Sequence, residues 1–116
     1  MCSSDLGLRL HPSAARTASG NGSAVAFTAP TATQTLYAQW HLLAVSGTGS
    51  VVFTIQTDDN AGFTTPTTRI TSSSLTAVGA GAGTLAGALT GETHIRVAYT
   101  ITGFTSATFV VSAGVL

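Results

Sequence analysis

The sequence predicts an all-β fold, an antiparallel β-sandwich of jelly-roll character with about seven to eight strands. Three observations support this prediction. Apolar residues alternate with polar ones in several segments, with the period of two that half-buried strands show. Clusters of turn-forming residues separate these segments at intervals of about 8–12 residues. Threonine and valine are abundant and favour strands, and we find no amphipathic helical stretch with capping residues.

The most hydrophobic predicted strand is LYAQWHLLAV, residues 36–45. Both of its faces carry apolar side chains, which is typical of a strand in the centre of a sheet. A helix is the alternative, because so apolar-rich a segment can also wind into one. The Ser-Gly-Thr-Gly turn at residues 46–49 favours a hairpin to the next strand. In that strand Val51, Phe53 and Ile55 fall on one face.

The C-terminal third has the clearest alternation. In HIRVAYTIT the residues Ile95, Val97 and Tyr99 share a face, and TFVVSAGVL alternates in the same way. A turn at residues 103–106 lies between the two segments. We therefore expect them to form a hairpin.

The middle of the chain predicts weaker strands. Short strands are expected at residues 24–28 and 67–71, the second of them after Pro66. Residues 75–78 and 84–89 are expected to form two further strands, joined by a flexible GAGAG loop. That glycine-rich run resembles a dinucleotide-binding loop only superficially, because it lacks the parallel strand–helix context of such loops.

The predicted organisation is one domain over residues 24–116, preceded by a linker or lead-in strand at residues 7–23. One strand is expected there at about residues 14–18. Residues 1–6, MCSSDL, resemble a translated sequencing adapter, and a genuine short N-terminus is the alternative. With an adapter origin these residues do not belong to the fold, and we expect the natural chain to continue upstream.

Charged residues make up only 7% of the 116 residues, and the formal net charge is zero. This composition provides neither the basic patch that nucleic-acid binding needs nor a polybasic membrane-binding segment. Hydrophobic residues make up 44%, which argues against disorder. A surface of Thr, Ser and Gly offers little electrostatic protection against self-association, so we expect a protein that packs against copies of itself.

No metal or cofactor site is expected. Asp58, Asp59 and Asn60 supply oxygen ligands, but an EF-hand also needs a longer loop with a distal glutamate. Asp and Asn are default turn formers, so we interpret this cluster as a turn. The histidines lack ligand spacing and lie on separate predicted elements: His11, His41 and His94.

No catalytic set is evident, and we expect the protein not to be an enzyme. None of the serines lies in a Gly-x-Ser-x-Gly motif. Glu92 is the single glutamate, so a pair of catalytic carboxylates would need an aspartate as its second member.

Four aromatic residues are candidates for ligand contact, because sugar-binding surfaces use exposed aromatic rings. A tryptophan in a strand more often belongs to the core, since it buries a large apolar area. The candidates are Tyr37, Trp40, Phe63 and Phe104.

Three parts of the chain together resemble small structural proteins of tailed bacteriophages and prophages. They are LHPSAARTASGNGSAV, then YAQWHLLAVSGTG with VVFTIQTDDNAGFTTPTTRIT, and finally HIRVAYTITG with ATFVVSAGV. The resemblance covers nearly all of the chain from Leu10 onward. Its motifs are features of the fold, so no functional residues are carried over.

This resemblance implies a virion component of the head-decoration, head-fibre or tail-module type. Such a protein would assemble with other virion proteins or with copies of itself, as a homo-oligomer in the particle, without nucleic acid or membrane. The alternative is a carbohydrate-binding or adhesion module that is extracellular or at a bacterial cell surface.

Overall fold

The computed structural model describes residues 8–116. The adapter-like residues 1–6 lie outside the described residues, as does Gly7. Residues 8–116 contain strands and no helix, and therefore no helix long and apolar enough to cross a membrane. The strands are β1 (Leu8–Arg16), β2 (Gly20–Asn21), β3 (Val25–Ala26), β4 (Thr35–Ser46), β5 (Ser50–Asp58), β6 (Thr67–Thr71), β7 (Gly79–Ala86), β8 (His94–Thr102) and β9 (Ser106–Val115).

The strands form two antiparallel sheets. Sheet 1 has the order β1-β9-β4-β7. Sheet 2 has the order β2-β8-β5-β6, and β3 pairs with β8 next to β2. The chain crosses between the sheets at every connection except β2–β3 and β5–β6. When β2 and β3 are taken as one interrupted strand, this path is an eight-stranded jelly roll, so the predicted fold class is confirmed.

The alternation seen in the sequence corresponds to the two faces of each strand. Leu36, Trp40, Phe53 and Phe109 project between the sheets and are buried. Phe53 and Phe109 meet edge to face, with ring centroids 4.9 Å apart. This geometry is a favoured one for aromatic pairs, and it places the largest side chains at the centre of the sandwich. Residues 36–45 are a strand between two neighbours, as predicted for a central strand.

The two predicted hairpins are wrong. β4 and β9 lie in sheet 1, whereas β5 and β8 lie in sheet 2, so both connections are corners that cross between the sheets. Gly47 and Gly103 have φ angles of 87° and 83°. Residues with a β-carbon rarely adopt such positive φ angles, whereas glycine does so readily. The corners also pack on each other, since the Thr105 N–H donates to the Ser46 carbonyl at 2.8 Å. A glycine-rich turn is compatible with either connection, so local sequence could not distinguish them.

The predicted GAGAG loop is also wrong, because residues 79–83 are the first part of β7. β7 pairs with β4 without a register shift, from Gly79 opposite Leu42 to Ala86 opposite Thr35. Glycine and alanine have weak β-propensity, so their strand conformation here comes from tertiary pairing. Glycine is needed at position 83 because two large side chains lie close to it. A Cβ there would lie 3.3 Å from the Trp40 ring and 2.5 Å from Ile70.

The lead-in strand belongs to the sandwich. The structure places it at Leu8–Arg16, longer and earlier than the expected residues 14–18, where it pairs with β9. Two of its own residues, Leu10 and His11, are buried. Residues 8–16 therefore contribute to the core as well as to the edge of sheet 1.

Candidate functional site

The outer face of sheet 1 carries exposed side chains of β4 and borders an open groove. The outward side chains of β4 are Tyr37, Gln39, His41 and Leu43, and all are exposed. They form a ridge along the middle of the face. β4, β7 and β9 contain no Asp, Glu, Lys or Arg, so this part of the face carries no formal charge at neutral histidine.

A shallow groove of about 560 Å³ lies beside this ridge. Its shape follows from the register, since Gln39 is opposite Ala82 on one side and Ser112 on the other. Short side chains next to a long one leave a depression on a sheet surface. The groove is lined by Gln39, Trp40, His41, Ala80, Gly81, Ala82, Val110 and Ser112.

Of the groove residues, Trp40 and His41 were individual candidates from the sequence, and residues 80–82 were predicted to lie in a loop. Because side chains of a strand alternate with a period of two, Gln39 and His41 share one face of residues 36–45, and this is the signal that the sequence offers. Their lateral neighbours from β7 and β9 depend on strand order. Strand order is a property of the tertiary structure, so no local pattern identified Ala82 or Ser112 as part of the same surface.

The structure separates the four candidate aromatic residues. Tyr37 is 39% exposed on the outer face of sheet 1. Trp40 is 5% exposed, and its rings point to the interior beside Phe53. Phe63 and Phe104 are each 6% exposed. Of these four side chains, Tyr37 is therefore the one that a ligand could reach without a rearrangement.

The loop after β5 is organised by the carboxylate of Asp58. Its Oδ1 accepts a hydrogen bond from the Asp59 N–H at 2.8 Å, and its Oδ2 accepts one from the Thr65 N–H at 3.1 Å. Burial raises the pKa of Asp58, but these hydrogen bonds and the Thr65 hydroxyl outweigh it, so the pKa lies below its ordinary value. The carboxylate of Asp58 thus holds the loop together. This agrees with the interpretation of residues 58–60 as a turn.

A second polar cluster joins β5, β6 and the segment before β8. Arg69 donates from Nε to Thr57 Oγ1 at 2.9 Å and from Nη2 to Glu92 Oε1 at 2.8 Å. Thr57 also donates to Glu92 Oε1, at 2.7 Å. Thr57, Arg69 and Glu92 serve as hydrogen-bond partners for one another. We therefore interpret the cluster as one that stabilises the β6 edge of sheet 2.

The outer face of sheet 2 carries another arginine contact. Arg96 donates to Gln56 Oε1 at 2.9 Å, and its guanidinium lies 4.4 Å from the centroid of the Phe63 ring. This cation–π contact covers Phe63, which adopts a φ angle of 49° in the loop. The charged side chains of sheet 2 are therefore engaged in hydrogen bonds, an ion pair or a cation–π contact, in contrast to the uncharged groove on sheet 1.

His11 is buried between the sheets near the β1 edge. Arg16 Nε donates to His11 Nε2 at 2.8 Å, so the imidazole is neutral with its proton on Nδ1. Its ring lies 4.3 Å from that of Phe109. Burial and then the Arg16 charge lower the pKa of His11 and outweigh the nearby backbone of Phe109 and Pro12.

The histidines remain apart in the fold. His41 faces outward on sheet 1, and His94 lies on β8 in sheet 2 beside Thr93. Within residues 8–116, no group of three or more His, Cys, Asp or Glu side chains is placed to hold a metal ion.

Comparison of the chain with protein-family models, with curated proteins and with solved structures finds no match in any of the three. The fold class therefore follows from the architecture alone.

Proposed function

We propose that this chain is a non-enzymatic structural module of a bacteriophage particle, a head-decoration, fibre or tail component that acts through protein–protein assembly. Its partners are copies of itself or other virion proteins, and its location is the virion. The observation that carries the proposal is the uncharged part of the outer face of sheet 1, which is formed by β9, β4 and the edge strand β7.

Charge distribution supports an assembly surface on sheet 1. Protein interfaces are depleted of charged residues at their centre, because each buried charge must lose its hydration. Arg69, Glu92 and Arg96 are engaged on sheet 2. The face formed by β4, β7 and β9 can be covered by another protein without burying any Asp, Glu, Lys or Arg of its own.

The jelly-roll path supports the same proposal at a coarser level. Eight-stranded jelly rolls are common in viral capsid proteins and in lectins. A fold by itself does not decide a function, since one architecture hosts many. The resemblance of the sequence to phage structural proteins makes the virion the first choice between these two uses.

The second candidate is a carbohydrate-binding or adhesion module. Its specific support is the groove, where Gln39, His41 and Ser112 offer hydrogen-bonding groups, and the exposed ring of Tyr37 lies two residues before Gln39 on the same face of β4. Sugar sites combine polar groups of this kind with one aromatic surface. This candidate places the protein at a bacterial surface or outside the cell.

Two measurements test these proposals. Sequencing of the DNA on both sides of the gene should find portal, capsid or tail genes, and a location among metabolic genes would count against a virion role. A glycan array probed with the wild-type protein and with Tyr37→Ala tests the second candidate. Glycan binding that is lost in the variant would favour the adhesion module, whereas no binding by either protein would exclude it for the glycans on the array.

A further inference from the structure

We propose that the free edge of β7 is a self-association site, at which two copies of the chain pair antiparallel around a two-fold axis. The product is a continuous eight-stranded sheet made from the two copies of sheet 1. This inference deepens the proposed assembly function and rests on it, because it names both the surface and the partner.

The backbone of β7 is unpaired on one side. In a strand, the N–H and C=O groups of alternate residues point to opposite sides. β4 occupies one side of β7 over eight consecutive register positions. On the other side, no segment within residues 8–116 forms a hydrogen bond with Gly79–Ala86. That side therefore presents a regular row of backbone donors and acceptors.

The other sheet edges carry features that block such pairing, whereas β7 does not. β2 and β3, which share one edge of sheet 2, have only two residues each. β1 contains Pro12, two arginines and two register shifts against β9. β6 follows Pro66, has five residues and a register shift, and holds Arg69. Charges, prolines, bulges and short length are the usual protections of an edge strand. β7 is eight residues long, regular and uncharged, so it is the unprotected edge of this sandwich.

The inward-facing side of β7 is incompletely buried. The inward-facing Gly81, Gly83 and Leu85 are half-buried, although Leu36 and Trp40 on the adjacent strand are buried. The inner layer of the sandwich is therefore open at this edge. A strand added beside β7 would cover these positions from the side.

A second copy fits this edge because it offers the same length, regularity and lack of charge. Residues directly opposite each other in an antiparallel pair point to the same face. A two-fold axis perpendicular to the sheet must therefore lie midway between a residue and its own copy, and the two registers that pair most of β7 place Ala82 opposite Ala82 or Gly83 opposite Gly83. Small side chains at both positions allow the strands to approach. Such a contact is isologous, so it closes on itself.

The decisive variant is Ala82→Lys, because Ala82 is exposed and lies at the centre of β7. In either register the two lysines are directly opposite or diagonal to each other, where like charges repel. The control is Ala15→Lys, which places the same charge at an exposed position on β1, the opposite edge of the same sheet. Thermal unfolding of each variant establishes that it is folded.

Sedimentation velocity over a wide range of protein concentration measures the association. We expect the wild type and Ala15→Lys to dimerise with equal affinity, and Ala82→Lys to dimerise at least about tenfold more weakly, or about 1.4 kcal/mol. An equimolar mixture of Ala82→Lys and Ala82→Asp should regain the dimer, because opposite charges then meet across the axis.

Two outcomes would overturn the inference, and they have different consequences for the proposed assembly function. Equal association of wild type and Ala82→Lys would place self-association elsewhere on the chain and leave the assembly function intact. A wild-type protein that is monomeric at every concentration would remove self-pairing altogether. The neighbouring genes would then decide the virion role independently.

Discussion

The indole of Trp40 occupies the space that a side chain at Gly81 would need. A β-carbon at position 81 would contact Nε1 of Trp40 and would lie 3.0 Å from its Cε2. Trp40 is on β4 and Gly81 is directly opposite it on β7. The glycine of the edge strand and the tryptophan of the central strand therefore form one packing unit beneath the groove.

Substitution of Gly81 by alanine should destabilise the fold by about 1–3 kcal/mol, because the new methyl group overlaps the indole and forces β7 or Trp40 to move. Gly79→Ala is the matched control. The nearest atom to a Cβ at position 79 is 4.0 Å away, so the space is open. Urea denaturation measures both variants, and equal midpoints for the two would contradict the packing argument.

Truncation of Phe109 should reduce the free energy of unfolding far more than truncation of Val110, its outward-facing neighbour on β9. Phe109 is fully buried and contacts the rings of His11, Phe53 and Tyr99. We expect Phe109→Ala to lower the free energy of unfolding by about 3–5 kcal/mol, because it leaves a cavity between the sheets. Val110→Ala, on the outer face of the same strand, is the control. A loss as large for Val110→Ala would show that the two faces are not distinct.

Stability should fall as the pH drops below about 6.5, the ordinary pKa of histidine. The pKa of His11 is lowered in the folded state, so the unfolded chain binds the proton more tightly. By linkage, its contribution to stability is complete above pH 6.5 and declines as the pH falls toward the lowered pKa. Urea denaturation between pH 5 and 8 measures this slope.

His11→Gln is the variant that tests this source of the slope, since it does not titrate and retains an acceptor for Arg16. We expect the slope between pH 5 and 8 to be smaller in His11→Gln than in the wild type. His41→Gln, which removes a histidine at an exposed position, is the matched control. An unaltered slope in His11→Gln would assign the pH dependence to another group.

Asp58→Asn should loosen the loop over residues 58–66, because the amide replaces one of the two acceptor oxygens that hold Asp59 and Thr65. Hydrogen exchange of the Thr65 amide should accelerate. In the wild type, the lowered pKa of Asp58 means that the clamp is fully present above the ordinary pKa of about 3.8. It is lost as the pH falls through the lowered value.

The control for the loop is Asp59→Asn. Asp59 is exposed, and its carboxylate accepts from the Asn60 side chain at 3.3 Å. We expect little change in exchange at Thr65. Faster exchange of the Thr65 amide in Asp59→Asn than in Asp58→Asn would show that the carboxylate of Asp59, and not that of Asp58, holds the loop.

The local pattern of the sequence determined where most strands lie and which side of each is buried. Val51, Phe53 and Ile55 face the core as predicted, as do Ile95 and Val97. The physical reason is that a strand alternates its side chains with a period of two, whatever its neighbours are. The predicted span at residues 67–71 coincides with β6 for the same reason.

The tertiary structure decided which strands are neighbours. The turns at Gly47 and Gly103 permit a hairpin or a corner, and only contacts distant in sequence place β5 and β8 in the sheet opposite β4 and β9. It also decided that GAGAG is a strand, because glycine and alanine carry almost no alternation signal and the fit of Gly81 to Trp40 is visible only in the fold. The groove and the free edge of β7 are products of that strand order, since they exist only where residues far apart in the chain meet.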